Sequence, residues 1–163
     1  MARTCRIFIE NTYNHIVARG IRKEPVFRTT DDYRGYLKLL HKYKIRSECL
    51  LYGYCLMPNH VHLVLEFPLG LRSMSALMHC VNQSYALRFN IKYEMVGHLW
   101  QNRYKNFVIQ KDDYVINAIS YVEYNPVRAG LVLRLEDWPW SSYRSRVLGA
   151  HDIVLDSIAR GQI

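Results

Sequence analysis

The sequence predicts an α+β fold in which one antiparallel sheet carries helices on one of its faces. Three observations predict it. Strand-like and helix-like stretches alternate from Tyr13 to Gln110, and two of the strands are separated only by Pro58-Asn59, which makes them antiparallel neighbours. The strand after that turn has a uniformly apolar side, so it buries at least one face.

The first strand is Tyr13–Arg19 (YNHIVAR), closed by Gly20. A basic loop from Ile21 to Phe27 follows, and Thr29 or Thr30 supplies the cap of a helix that begins at Asp31. Tyr33, Leu37, Leu40 and Tyr43 recur at helical spacing as its buried stripe. Glu48–Met57 (ECLLYGYCLM), rich in apolar and aromatic residues, is the second strand. HVHLVLEF returns from His60 as the third, completing a hairpin. Ser73 is placed to cap a second helix whose positions Met74, Leu77, Met78, Val81 and Tyr85 keep the 3.6-residue period. A looser stretch, HLWQNRYKNFVIQ, ends in a fourth strand at Lys105–Gln110. KDDYVINAISYVEYN then forms a further helix with Asp112 as its cap, and Pro126 ends it. This order, strand-helix-strand-strand-helix-strand, is that of the ferredoxin-like βαββαβ unit. The opposite sheet face remains for a ligand or for the last helix.

At 163 residues the chain reads as one domain, 1–163, and its 50% of apolar residues excludes a disordered protein. No apolar run reaches the length of a membrane span, and Met1–Asn11 lacks the apolar centre of a signal peptide, so a soluble, cytoplasmic protein is expected. Lys and Arg outnumber Asp and Glu by 22 to 14, a net charge of +8 that favours polyanions such as nucleic acid. The 13 tyrosines and 3 tryptophans could stack on unpaired bases or simply fill core and interfaces. Cys5, Cys49, Cys55 and Cys80 show no zinc-ligand spacing and are read as reduced and mostly buried.

Residues two apart on a strand point the same way. His60 and His62 therefore share a face with Val64 and Glu66, while Val61, Leu63, Leu65 and Phe67 share the apolar face that meets the helices. Two neutral imidazoles on the open face can hold one divalent metal. Taken alone, the HxH pattern fits two hydrogen-bonded polar residues better. On the last helix, Tyr114, Tyr121 and Asn125 fall in one narrow sector beside the apolar stripe Val115, Ala118, Ile119 and Val122. Docking through that stripe would bring a phenol and an amide to the sheet face. By spacing alone, a packing aromatic is the better reading of Tyr121 and a helix cap that of Asn125. A metal beside a tyrosine suits attack of the phenol oxygen on a phosphate, leaving a covalent phosphotyrosine.

The blocks YNHIVARG, YCLMPNHVHLVLEFP, HLWQNRYKNF, YVEYNPVRAGLV and WPWSSYR, in this order from about Ala2 to about Arg146, resemble the single-tyrosine HUH transposases. The likeness is to their REP-associated tyrosine transposase branch and its insertion-sequence relatives. It implies a metal-dependent endonuclease and strand transferase acting on single-stranded or hairpin DNA through a 5′-phosphotyrosine. In that family's pattern His60 and His62 match the histidines of the HUH triplet, Tyr121 the nucleophile, and Asn125 the polar residue completing the metal site. Mg²⁺ or Mn²⁺ would be the ion. The family's members act as monomers or as dimers that exchange tyrosine helices, so a homodimer is one expectation. Tyr114 is a rival nucleophile, but seven residues place it about 10 Å from Tyr121 along the helix. His15 is read first as a structural hydrogen-bonding residue, with a contribution to the site as the second reading. Glu66 lies four residues past His62 and is left out of the metal shell. Arg19, Arg22, Lys23, Trp100, Arg103 and Lys105 are the candidate DNA contacts. Trp138, Trp140 and Tyr143 are read as core anchors.

Two other classes compete. A non-catalytic nucleic-acid-binding module would need neither the histidine pair nor Tyr121. A zinc hydrolase would need another His, Asp or Glu as ligand.

Overall fold

Alternation along the third strand decides how the sheet is clothed. The computed structural model describes residues 9, 12–110 and 112–158, without the side chains of residues 112 and 113. Strands β1 (Tyr13–Arg19), β2 (Leu50–Met57), β3 (His60–Glu66) and β4 (Lys105–Ile109) form one sheet in the order β2-β3-β1-β4, with every neighbouring pair antiparallel. On one face lie helices α1 (Thr30–Arg46) and α2 (Leu71–Tyr93), and on the other α3 (Asp112–Glu123). Two short helices, α4 (Asn125–Arg128) and α5 (Tyr143–Leu148), follow. The expected ferredoxin-like unit is present. None of the helices described is long and apolar enough to cross a membrane.

Val61, Leu63, Leu65 and Phe67 bury into the larger core with Tyr36, Leu40, Met74, Leu77 and Tyr85. Tyr36, absent from the predicted stripe of α1, is fully buried, whereas Leu37 and Tyr43 sit half-buried at its margin. On the opposite face, Val64, Cys55 and Met57 pack beneath Val115, Ile119 and Val122 of α3. The face that sequence left to a ligand or a helix is thus packed by α3, which meets β2, β3 and β4. Cys49 and Cys55 are free and buried and Cys80 is free and half-buried; Cys5 and the first eight residues lie outside the described residues.

Helix α1 starts one residue earlier than predicted and is capped at Thr29. The Asp32 carboxylate turns back to accept from the backbone N–H groups of Thr29 (2.9 Å) and Arg28 (2.8 Å). Ser73 does not cap α2. That helix begins at Leu71 after Gly70, which adopts a φ of 81°, and the Ser73 hydroxyl donates instead to the Ser47 carbonyl at the end of α1. The expected cap at Asp112 involves a side chain outside the described residues.

The outer edge of β2 is covered by the C-terminal segment. Leu56 N–H donates to Trp140 O (2.8 Å), Ser142 N–H to Tyr54 O (3.0 Å) and Asp156 N–H to Leu51 O (2.8 Å). An edge closed in this way cannot pair with another chain. Trp140 stacks on Tyr33 at 4.6 Å and Trp138 Nε1 donates to Leu56 O, so both tryptophans are the anchors expected. Tyr143 instead lines a hollow beside Tyr121 and Tyr124. The buried Glu123 at the end of α3 accepts from Arg146 Nη2 (2.5 Å) and Ser142 Oγ (2.7 Å), tying α3 to this segment.

Gly53 sets how closely α3 approaches. A Cβ at that position would lie 2.7 Å from Ile119 Cγ2, below any normal contact. Gly53→Ala is therefore expected to lift α3 and cost about 1–3 kcal/mol by overpacking. Thermal melting of the purified variant checks this, and an unchanged midpoint would show that α3 is not seated through this glycine.

Candidate active site

The β1–β3 register sets His60 opposite Arg19 and His62 opposite Val17. Their imidazoles meet edge to face with centroids 4.8 Å apart. A hydrogen bond at Nδ1 orients each ring. Asn59 Nδ2 donates to Lys23 O (3.0 Å), which fixes the direction of the amide and turns Oδ1 towards His60 Nδ1 at 2.6 Å. Because that oxygen only accepts, neutral His60 carries its proton on Nδ1 and a lone pair on Nε2. His62 Nδ1 lies 2.9 Å from His15 Nε2, while His62 Nε2 is buried without a partner among the described residues. When His62 Nδ1 donates to His15, Nε2 is left as an unpaired buried lone pair. Such an atom is uncommon in a folded interior, and next to a second imidazole it suits a cation.

The surroundings favour the neutral rings that metal ligation requires. Burial lowers the pKa of His62 to about 2, reinforced by the charges of His60, His15, Arg128 and Arg19. Burial and then Arg19 lower that of His60 to about 4, and burial alone lowers that of His15 to about 4. Among the described residues, no three His, Cys, Asp or Glu side chains stand together as a metal-binding group. Glu66 accepts from the Tyr52 hydroxyl at 2.6 Å.

Tyr121 is 50% exposed and meets His15 edge-on, with ring centroids 6.2 Å apart. His15 thus stands between Tyr121 and His62. The Arg128 guanidinium lies over the Tyr121 ring itself, 4.2 Å from its centroid. Asn125 opens α4 and does not leave the helical path. Pro126 has no N–H to offer the Val122 carbonyl four residues back, and Asn125 Nδ2 supplies one at 2.9 Å while also reaching Tyr121 O at 3.1 Å. Helix α3 thus ends at Glu123, and Pro126 sits in the first turn of α4. Asn125 Oδ1 accepts from Arg128 Nη2 at 2.9 Å and retains a second lone pair. Tyr114 lines a different hollow, with Val108, Ile109, Gln110 and Ala118.

The candidate DNA contacts gather around the same end of the sheet. Arg19 neighbours His60, and the Asn59 side chain ties the exposed Arg22–Lys23 turn to the histidine strand. Gln101 N–H donates to Arg19 O and Ile21 N–H to Leu99 O, bringing in the segment that carries Arg103. Lys105 pairs with Val17, one strand from His62. Trp100 is half-buried against Tyr36 and Tyr85, with Nε1 donating to Asn82 O. Its ring is mainly a packing anchor.

Sequence reasoning passed over Asn59, Arg128 and the exposed Phe107, whose ring lies 5.8 Å from His15. Strand alternation could have drawn His15 to the histidine face, and the two-turn spacing could have paired Arg128 with Tyr121.

Fold and site together define a ferredoxin-like domain that presents two imidazoles and a tyrosine on one sheet face. The family model described as "Transposase IS200 like" matches residues 8–125, and the chain belongs to this family. A protein of Haemophilus influenzae assigned to the REP-associated tyrosine transposases is 29% identical over 103 residues, covering 57% of this chain and 58% of that protein. The REP-associated tyrosine transposase of Escherichia coli K12 is 23% identical over 95 residues, 58% of this chain and 54% of its own length. The chain thus spans little more than half the length of these curated relatives. The solved structure of a REP-associated tyrosine transposase bound to a REP hairpin matches with a TM-score of 0.74 at 20% identity, covering 97% of this chain and 93% of that one.

The lowered histidine pKa values have a definite sign. The unfolded rings bind protons below about pH 6.5 while the folded ones resist, so this contribution to stability is present above that pH and is lost as pH falls towards about 4. The His60 and His62 ring resonances are expected to stay flat from about pH 7.5 to about pH 5.5 in metal-free protein. A midpoint near the ordinary histidine value for either ring, seen by NMR, would contradict the buried neutral site.

Proposed function

We propose that this protein is a metal-dependent single-stranded DNA endonuclease and strand transferase that acts at or near hairpins through Tyr121. The observation that carries the reading is the convergence of Tyr121, from α3, on the sheet face where His62 buries an unpartnered Nε2. His60 and His62, through their Nε2 atoms, and the free lone pair of Asn125 Oδ1 would hold Mg²⁺ or Mn²⁺. The ion would supply positive charge against the scissile phosphate.

The protein's part is to orient and to expel water. His15 and Asn59 fix the two imidazoles, and α3 holds the phenol at the margin of a partly dry face. The Tyr121 oxygen attacks phosphorus and gives up its proton. The bond from phosphorus to the 3′ oxygen breaks, and that oxygen takes up a proton to become a free 3′ hydroxyl. Tyr121 remains esterified to the 5′ phosphate. Attack by a 3′ hydroxyl on the phosphotyrosine reverses these steps and joins strands.

Arg19, Arg22, Lys23, Arg103 and Lys105 form a basic rim for the phosphate backbone. Between α2 and the 97–104 segment lies a cleft of about 950 Å³ whose lining has amides, His79, His98, Arg103 and an edge of Trp100, and no carboxylate. Its chemistry suits an unpaired strand or the foot of a hairpin. The solved relative's REP hairpin supports a hairpin partner.

Labelled single-stranded hairpins from repeats flanking the gene, incubated with Mn²⁺, are expected to yield an SDS-resistant adduct with the wild type and none with Tyr121→Phe. His60→Ala or His62→Ala should slow adduct formation by about 100-fold or more. Hairpin binding with no adduct, across several hairpins and metals, would overturn the reading in favour of a binding module. An adduct that survives Tyr121→Phe would refute Tyr121 as the nucleophile and make Tyr114 the next residue to test.

A further inference from the structure

Tyr121 is half exposed, yet its ring has a close cationic neighbour. The Arg128 guanidinium carbon lies 4.2 Å from the ring centroid, within cation–π range. Two helical turns, about 10 Å of axial rise, separate the residues, a gap that an arginine closes because helical side chains lean towards the N-terminus. Arg128 is itself fixed by its bond from Nη2 to Asn125 Oδ1 (2.9 Å). Asn125 in turn grips the end of α3 through the carbonyls of Tyr121 and Val122. The contacts close a ring: Tyr121 backbone to Asn125, Asn125 to Arg128, Arg128 to the Tyr121 side chain. The proline break is part of it, since Pro126 frees the Val122 carbonyl that anchors Asn125.

We propose that Arg128 is a positioning residue for Tyr121, holding the phenol ring towards His15 and the histidine pair through a clamp built on Asn125. The proposal rests on the reading of Tyr121 as nucleophile. It gives Asn125 a duty that its amide already performs, apart from any ligand role. It also gives the half-exposed ring a partner: the aromatic face that would otherwise meet water meets a cation.

The test uses the full chain with hairpin DNA and Mn²⁺. Arg128→Met keeps the length of the stem and removes the charge; Arg128→Lys restores a charge without the planar fork. At saturating DNA, Arg128→Met is expected to slow single-turnover adduct formation about tenfold or more, as a misplaced reactant would. Hairpin Kd should change less than about twofold, and Arg128→Lys should recover part of the rate. In DNA-free protein labelled with ¹³C-tyrosine, the Tyr121 ring signal should shift in Arg128→Met. A wild-type rate in Arg128→Met would overturn the proposal. So would a rate loss matched by an equal loss of affinity, which would make Arg128 a phosphate anchor, or an unmoved ring signal. If Arg128→Met melts early, Arg128→Lys and the ring signal decide. A wild type that forms no adduct defeats the nucleophile reading and the positioning role with it, whereas the ring signal reports the contact separately.

Discussion

The seating of α3 on the sheet is the contact on which the rest of the site depends. A helix can lie this close to β2 only because Gly53 has no side chain beneath Ile119. That approach buries Val115, Ile119 and Val122 on Val64 and Cys55, and the apolar area removed from water holds the helix in place. Tyr121 lies on the flank of the same helix, so the packing that stabilises α3 also fixes where the phenol stands. Glu123 secures the far end through Arg146 and Ser142, within a segment that is itself hydrogen-bonded along β2. A carboxylate this deeply buried is costly unless paired, and here both partners come from the segment that seals the sheet edge.

Covering the sheet face also changes its chemistry. On an open face the three histidines would be solvated and would titrate near neutrality. Partly enclosed in the fold they lose solvent, and desolvation keeps them uncharged. Nearby arginines act in the same direction, so the residues that suit a phosphate backbone also keep protons off the imidazoles. The Nδ1 partners Asn59 and His15 then decide which nitrogen faces outward. Orientation comes from hydrogen bonds, and the neutral state comes from burial.

Most of the fold was legible because its signals are periodic and local. The ends of β1, the Pro58-Asn59 turn and the apolar stripe of α3 rest on alternation or 3.6-residue spacing within a single element. Failures came where a side chain answers to a distant partner. Ser73 has the chemistry of a cap but serves the end of α1, and Tyr36 is buried by Phe27 and Tyr85 from other elements. Placing His60 and His62 together needed only strand geometry. Alternation puts His15 on one face of β1, but only the β1–β3 register sets it beside His62. Trp100 looked like a stacking platform because it stands among cations, yet its neighbours in space are Tyr36 and Tyr85.

The donor set bears on why such a site would suit phosphate chemistry. Two neutral imidazoles and an amide oxygen bring no negative charge, and the described residues offer no Asp or Glu to complete a three-residue group with them. In the proposed reaction a divalent ion held this way would keep its full charge for the substrate. A carboxylate ligand would spend part of that charge before DNA arrived. The basic rim points the same way, since Arg19 beside His60 would repel a bound cation unless an anion lay between them. Ion and arginines would thus be mutually unfavourable in the free protein and mutually favourable around a phosphate. By this reasoning metal and DNA should bind cooperatively, because each supplies the charge that the other lacks.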